Sequence, residues 1–381
     1  MNNIPEKQAL ISERHERNYG IDLLRLLSML MVVTLHVLGG GGILNNTETL
    51  SLQSEFFWTI EILCFCAVNV YAIISGYVGL KAKHKYSSLI YLCIQFTFYS
   101  FVITGIDLLV LLMQGEKISL FSTFTNLFPS MSFVYHGLWY FSAYFCLFFF
   151  MPILNSIVDN VPRNTLKTAA FFVFVVFCGW TQIYTDVIHV GRGYSVLWLM
   201  ILYVFGAYVA KYNVLKNLSV KMSVIGYLVC IAISVFSRFI MGNVFPKRIN
   251  LLVSYTSPTI VLCAVFLINI FTKIRTNRKH VKIISTLAPL SFGVYLIHCN
   301  PIIMNKLIEG SFAWIADKPL HFAIPLVVGV AVAIFVSCLV IDKVRLVLFD
   351  FCKIKNISNW IEHFIGKFCR KILNMVHCSF E

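Results

Sequence analysis

The chain has 381 residues, of which 59% are hydrophobic and 13% charged, and its mean hydropathy is +0.80. This composition excludes an ordinary soluble domain and predicts long apolar segments that cross a membrane. A formal net charge of +14 occurs in nucleic-acid-binding proteins, but in a multi-span protein it indicates Lys and Arg held on the cytoplasmic side, which is the interpretation we adopt.

Ten segments reach membrane length. A bilayer accepts only helices or closed barrels, and barrel strands would alternate with period two, so each segment is predicted to be a helix. The predicted fold class is therefore all-α, a polytopic integral membrane protein with about ten transmembrane helices. The segments are 21–38, 56–80, 87–113, 138–158, 166–185, 195–210, 220–241, 251–272, 284–304 and 320–342.

The first segment, IDLLRLLSMLMVVTLHVL, carries Arg25 and His36. Ionisable side chains are costly inside a membrane, so they indicate function. Eleven helical residues rise roughly 16 Å and turn about three times, so both side chains lie on one face, one near each end. The alternative is a structural histidine with an arginine that reaches the interface. Asp22 is expected to pair with Arg25 or to cap the helix.

The two residue types suggest different partners. A histidine near its ordinary pKa accepts a proton from a hydroxyl at neutral pH. An arginine keeps its charge and prefers phosphate or carboxylate. A phosphate-type cation at the inner end and a base at the outer end together predict a substrate that extends through the bilayer between Arg25 and His36.

Lys and Arg residues predict the orientation of the helices. With the N-terminus inside, 23 of the 31 fall in inner loops and termini, six in outer loops, and Arg25 and Arg238 within spans. This bias predicts that both termini are cytoplasmic.

The lysines of KAKHK directly follow the second segment. Lys81, Lys83 and Lys85 either follow the positive-inside rule alone or bind the phosphates of a cytoplasmic donor. On the outer side, polar and aromatic groups gather at the depth of His36, and each is either a substrate contact or an ordinary packing or interface residue. The predicted substrate-binding residues are Glu61, His136, Trp139, Tyr140 and His298.

Apolar residues at helical spacing also recur in the tail, with basic residues on another face. This pattern favours an amphipathic helix on the inner leaflet over an ordinary surface helix. The predicted organisation is a cytoplasmic segment 1–20, a membrane domain 21–345 and a basic amphipathic cytoplasmic tail 346–381.

The sequence has 12 Cys, mostly inside apolar segments. They contain no CxxC pair and no Cys/His spacing typical of zinc, so we interpret them as buried apolar side chains and expect no metal. No phosphate-binding loop follows a strand, so ATP-driven transport has no support.

Four strings in order resemble the membrane acyltransferase-3 family. They are Arg25, ten residues and His36 after IDLLR; ISGYVGL at 74–80; HGLWYF at 136–141 followed by Pro152; and SFGVYLIH at 291–298. The resemblance covers nearly the whole chain. Some members carry Arg-x-Arg after the second span where this chain has Lys81-x-Lys83-x-Lys85, which leaves point-charge attraction but no bidentate contact.

The resemblance implies an integral membrane O-acyltransferase, usually an O-acetyltransferase that modifies capsule, O-antigen, peptidoglycan or other exported glycans. It implies cytoplasmic acetyl-CoA as donor, a glycan or lipid-linked oligosaccharide as acceptor, and a bacterial plasma membrane. The family's histidine and arginine correspond to His36 and Arg25. Many members carry an extra soluble domain that completes the transfer. We expect no such domain in this sequence, and therefore expect the membrane part to act alone or with a separate partner.

A transporter or exporter of a glycan or lipid-linked intermediate is the alternative function. Buried ionisable groups line the pathways of such proteins. Transporters usually show related halves with Gly- or Pro-broken helices at matched positions, and the prolines of this chain show no such symmetry. A non-catalytic scaffold would leave the polar groups unexplained.

Overall fold

The computed structural model describes residues 17–115, 138–183 and 190–378, and these ranges contain no strand. The principal helices are α1 (Tyr19–Leu38), α2 (Leu52–Phe65), α3 (Ala67–Gly79), α4 (Tyr86–Met113), α5 (Trp139–Asn160), α6 (Arg163–Val173), α7 (Val196–Tyr212), α8 (Val220–Val244), α9 (Pro258–Thr272), α10 (Arg278–Leu287), α11 (Ser291–His298), α12 (Leu320–Phe351) and α13 (Ile354–Cys378). The predicted all-α fold is confirmed.

Short helical turns connect or extend these elements. Single α-helical turns are Thr181–Ile183 and Pro301–Ile303, π-helical turns are Phe174–Trp180 and Met304–Ile308, and 3₁₀ turns are Leu44–Asn46, Gly191–Gly193, Pro246–Arg248, Ala288–Leu290 and Ala313–Asp317.

Among the described residues, seven helical segments are long and apolar enough to cross a membrane. Two of them are the pairs α2–α3 and α10–α11, and α7 and α9 are apolar but shorter, with 17 and 15 residues. The sixth helix continues into a π-helical turn. The prediction of a multi-pass helical membrane protein is confirmed, while the count of ten and the sidedness stay predictions.

Short polar side chains define where several helices begin. The Asn18 side chain accepts a hydrogen bond from the Ile21 backbone N–H at 3.2 Å, which satisfies one of the donors left free at the start of α1. Asn18, rather than Asp22, therefore caps α1. Four more helices begin in the same way, at Ser51, Ser195, Ser219 and Asn277.

The first helix lies at the centre of the fold. It packs against α2, α3, α9, α11 and α12. In its most apolar stretch, 72% of the residues are buried, whereas the corresponding share in α12 is 22%. A helix surrounded by protein holds its side chains in fixed positions, so α1 is the element best placed to carry a site.

Among the described helices, α3 and α7 cross at very close range. Gly76 meets the backbone carbonyl of Tyr203, and Gly206 meets that of Ile73, at distances that leave no room for a Cβ atom. Small residues allow such approaches between membrane helices. Beside this crossing, Trp198 Nε1 donates to Asn69 Oδ1 at 3.0 Å, and Asn69 Nδ2 donates to the Tyr255 carbonyl at 2.7 Å. The crossing therefore anchors the loop that carries Tyr255.

The tail forms helix α13, which packs against α4 and α12. Its exposed apolar side chains include Trp360, Phe364, Ile365 and Phe368. The tail is therefore a helix with exposed apolar side chains, and its place on the inner leaflet stays a prediction. The predicted tail boundary at residue 346 falls within α12, which continues to Phe351.

Candidate active site

A cavity of about 270 Å³ opens beside the last turn of α1, and His36 forms part of its wall. Aromatic side chains dominate the lining, with a few polar groups among them, which is the usual make-up of a small-molecule site. The other lining residues are Met29, Val32, Leu35, Gly39, Gly40, Glu61, Phe65, Val68, Tyr71, Trp139, Tyr140, Tyr194, Tyr255, Ser291, Phe292 and Tyr295.

His36 is held by a second histidine from α11. Its Nδ1 lies 3.0 Å from Nε2 of His298, whose side chain is buried, and Nδ1 of His298 lies 2.6 Å from the carbonyl oxygen of Val294. A carbonyl only accepts, so Nδ1 of neutral His298 carries the proton and its Nε2 is an acceptor. Nδ1 of His36 is then the donor between the rings.

This chain of hydrogen bonds fixes the tautomer of His36. With its proton on Nδ1, neutral His36 has its lone pair on Nε2. A proton taken up at Nε2 would leave the bond to His298 intact. We therefore assign Nε2 of His36 as a basic nitrogen, with His298 as the residue that orients it, which is the role of the third member in a catalytic triad.

Cys299 lies next to this pair. Its Sγ is 3.3 Å from Nε2 of His298 and 3.6 Å from Nδ1 of His36. Among the described residues, these three side chains are the group whose ligand atoms lie close enough to hold a metal ion, all within 4.8 Å of one another. Spacing along the sequence did not indicate this cluster, because it joins two distant helices.

Three predicted substrate-binding residues line the cavity with His36. They are Glu61, Trp139 and Tyr140. Glu61 is buried, and within the described parts of the chain its Oε2 has no hydrogen-bond partner. A buried polar atom without a partner is costly and indicates a ligand group that would satisfy it. His298 contacts His36 instead of lining the cavity, and His136 lies outside the described residues.

Arg25 lies toward the other end of α1 and is linked to the same cavity by Tyr71. The Tyr71 hydroxyl donates to the backbone carbonyl of Arg25 at 2.6 Å, while the Tyr71 side chain lines the cavity. The face of α1 between Arg25 and His36 therefore lies beside the cavity.

The charge on Arg25 is only partly neutralised. Asp22 Oδ1 accepts from Arg25 Nη1 at 2.9 Å, and its other oxygen accepts from Arg17 Nε at 2.5 Å. The predicted pairing of Asp22 with Arg25 is confirmed. One carboxylate between two guanidiniums leaves a net charge of +1, and the Arg25 side chain is 31% exposed. An anionic group of a ligand can therefore approach it.

The predicted phosphate-binding lysines are exposed in the loop between α3 and α4. Since Glu61 faces the cavity with His36, and Tyr71 contacts Arg25, α2 and α3 run antiparallel to α1. The loop that holds Lys81, Lys83 and Lys85 follows α3. It therefore lies at the level where α1 begins, near Arg25.

The same loop contains His84, whose ring packs against Phe148. Burial lowers the pKa of His84, and the carboxylate of Glu362 on α13 opposes that shift. The side chain of Glu362 also accepts from the Tyr86 backbone N–H at 2.8 Å. At neutral pH the lysines, rather than His84, therefore supply the positive charge of this loop.

A second buried polar centre was not singled out from the sequence. Asp342 and Arg345 of α12 form an ion pair of 2.6 Å, and both are buried. Gln95 Nε2 and the Tyr99 hydroxyl donate to Asp342 at 3.1 and 2.7 Å, and Arg345 donates to the Tyr91 hydroxyl at 2.9 Å. We call these five residues the ion-pair cluster.

Tyr71 and Tyr295 also line the cavity, and neither was predicted from the sequence. Tyr295 stands three positions before His298 within SFGVYLIH, and this spacing places the two on neighbouring positions of one helical face. This spacing could have identified Tyr295 as a neighbour of His298 from the sequence alone. Tyr71 lies in a mainly apolar helix, where its sequence context does not distinguish it from an ordinary packing tyrosine, so it could be found only from the packing.

The comparisons with known proteins add one match. A family model described as an acyltransferase domain, the acyltransferase-3 model, matches residues 18–342. No curated protein and no solved structure matches the chain. The matched region runs from the start of α1 to Asp342 in α12, and so contains Arg25, His36, His298 and the cavity.

Proposed function

The chain belongs to the acyltransferase-3 family, and we propose that its reaction is the O-acylation of a glycan. The donor is cytoplasmic acetyl-CoA, and the acceptor is a hydroxyl of a cell-surface or lipid-linked glycan at the outer side of a bacterial plasma membrane. Acetyl is the acyl group that the family resemblance favours. The chain is thus proposed to be a membrane-bound O-acetyltransferase.

One observation carries the proposal. His36 lines a cavity, and the hydrogen bonds through His298 to Val294 leave its Nε2 as the basic nitrogen. A general base contributes only if its tautomer is correct and it can reach the proton that it removes. The transferred group would react in this cavity.

The proposed reaction takes place at His36. Nε2 accepts the proton of the acceptor hydroxyl, and the oxygen attacks the thioester carbonyl of the donor. The C–S bond breaks, the thiolate leaves, and the proton passes from His36 to that sulfur. In a variant of this route, Nε2 itself attacks the thioester and the thiolate leaves. The acceptor oxygen then attacks the acyl-histidine, the C–N bond breaks, and the hydroxyl proton passes to the thiolate.

The arginine end of α1 is proposed to hold the donor. The nucleotide part of acetyl-CoA carries phosphates, which fit the net positive charge at Arg25 and the exposed Lys81, Lys83 and Lys85. The helical rise of roughly 16 Å between Arg25 and His36 is comparable with the length of an extended pantetheine arm. The thioester then lies near the histidine while the phosphates stay near the arginine.

The cavity wall suits a sugar acceptor. The rings of Trp139 and Tyr140 offer apolar faces, and Oε2 of Glu61 offers an acceptor for a sugar hydroxyl. The bias of Lys and Arg toward the inner loops supports an outer location for this end of α1.

The test is acetyl transfer from labelled acetyl-CoA to endogenous glycan in purified membranes. We expect wild type to label the glycan, and His36→Ala, at equal expression, to lose at least about 10²-fold in rate because a general base supplies about that much. The control is His321→Ala, which changes an exposed histidine at the start of α12. Substantial transfer by His36→Ala would refute the assigned base. Flux of a glycan across the membrane without label in the product would instead support a transporter.

A further inference from the structure

The cluster of His36, His298 and Cys299 has the dimensions of a metal site. The three ligand atoms are separated by 3.0, 3.3 and 3.6 Å. In tetrahedral zinc sites, bond lengths of about 2.0–2.1 Å to nitrogen and about 2.3 Å to sulfur place the ligand atoms roughly 3.3–3.6 Å apart. Small shifts of the two rings would therefore complete one face of a tetrahedron.

A separate observation also points to a metal. Nδ1 of buried His298 donates to the carbonyl of Val294, so the Nε2 lone pair of His298 faces the cluster. Metal-binding histidines almost always donate their other ring N–H in this way, because it fixes the tautomer and raises the basicity of the ligand nitrogen. The hydrogen bond from His298 to Val294 is thus the contact that would orient His298 as a metal ligand.

We propose that His36, His298 and Cys299 bind a thiophilic divalent cation of the zinc class, and that the bound ion switches the transferase off. Two imidazoles and one thiolate suit zinc, and do not suit magnesium or calcium, which prefer oxygen ligands. Because His36 also lines the cavity, the fourth position of the tetrahedron is available to water or to a substrate oxygen.

The inhibition follows from the positions of the protons. Binding removes the proton from Cys299 Sγ, which is released to solvent. His36 binds the ion through Nδ1, so its ring proton moves from Nδ1 to Nε2 and the ring stays neutral. Nε2–H is a donor and no longer accepts the proton of the acceptor hydroxyl. Metal binding and base catalysis at His36 therefore exclude each other.

Binding and inhibition are tested separately, because inhibition rests on the proposed function and binding does not. The binding test uses Co²⁺ as a probe on the full-length protein purified in detergent. We expect tetrahedral cobalt absorption with a thiolate-to-cobalt charge-transfer band, which added Zn²⁺ abolishes. Cys299→Ser should lose the charge-transfer band. Cys263→Ala is the matched control, since that thiol is equally buried but lies against the Tyr227 carbonyl, and it should keep the band.

The inhibition test measures acetyl transfer in the presence of Zn²⁺ and after a chelator. Wild type should be inhibited and then recover, and Cys299→Ser should need at least about tenfold more Zn²⁺ for the same inhibition. Loss of a residue that only hydrogen-bonds to a metal ligand already costs about 10–100-fold in affinity, and Cys299 is proposed as a ligand itself. No cobalt band in wild type would overturn the site whatever the activity shows. A band without inhibition, or activity that the chelator abolishes, would overturn the switch. If wild type transfers no acetyl group, the proposed function fails, while the cobalt spectrum still decides the site.

Discussion

The histidine pair and the ion-pair cluster are both buried polar centres, and they differ in how fully their groups are paired. In the ion-pair cluster, the Asp342 carboxylate receives bonds from Arg345, Gln95 and Tyr99. In the histidine pair, the partners of His36 among the described residues all lie at Nδ1, and the neighbouring Glu61 has an unpaired Oε2 in the same part of the chain. A fully satisfied network stabilises a fold, whereas groups left unsatisfied beside a cavity indicate a ligand.

The position of the two centres supports the same distinction. Gly293 of α11 lies directly against the Asp342 carboxylate, with no space for a Cβ atom. His298 lies at the end of the same short helix. The ion-pair cluster therefore holds α11 in place, and α11 holds the histidine that orients His36. The ion-pair cluster thus supports the helix that carries one member of the histidine pair.

Asp342→Asn should give the largest effect on stability. It leaves the buried Arg345 charge uncompensated, and removing one partner of a buried ion pair costs about 3–5 kcal/mol. The measurement is thermal unfolding of the purified protein in detergent. The control is the double variant Asp342→Asn with Arg345→Met, which removes both charges and should be less destabilised than Asp342→Asn. Equal stability of Asp342→Asn and wild type would contradict the structural role.

His298→Ala should give the next effect, on rate rather than on stability. His36 stays in place but loses the acceptor that fixes its tautomer, so kcat should fall roughly 10²-fold with KM little changed. The measurement is steady-state acetyl transfer by folded protein. His298→Gln, whose amide oxygen can still accept from Nδ1 of His36, should recover part of kcat. A rise in KM for the glycan at unchanged kcat would instead make His298 a substrate contact.

Arg25→Ala should weaken donor binding by about tenfold, because a hydrogen bond to a charged group contributes about 1.5 kcal/mol. The measurement is the dissociation constant for acetyl-CoA. Arg17→Ala is the matched control, since Arg17 shares Asp22 as partner but is more exposed, at 51% against 31%. Its effect should be smaller. Unchanged affinity in Arg25→Ala would refute the assigned role.

Lys83→Gln should give the smallest effect. An exposed charge contributes about 0.2–1 kcal/mol, so KM for acetyl-CoA should rise only about twofold, and the difference should shrink at high salt. The measurement is KM at two ionic strengths. Lys318→Gln, an exposed lysine in a predicted outer loop, should leave KM unchanged. Equal changes in the two variants would point to a general effect of net charge.

The sequence was sufficient where one helix determined the geometry. Arg25 and His36 share α1, so the regular helical rise predicted both their separation and their common face. The depth of Glu61, Trp139 and Tyr140 within their segments also predicted their place beside His36, and all three line the cavity.

The rest required tertiary packing. His36 and His298 are 262 residues apart, and their contact depends on how α11 docks on α1. Cys299 was interpreted as a buried apolar side chain, since no local spacing marked it. Asp342 is the last residue of the predicted span 320–342 and Arg345 lies beyond it, whereas α12 continues to Phe351 and holds both side chains on one helix.

The most direct test compares the transfer rate per folded molecule in purified His36→Ala and Asp342→Asn below the unfolding temperature of both variants. The comparison of the two centres predicts that His36→Ala keeps wild-type stability and loses at least about 10²-fold in rate. It predicts that Asp342→Asn is destabilised but stays within a few-fold of the wild-type rate. Transfer by folded His36→Ala at the rate of wild type would contradict the account.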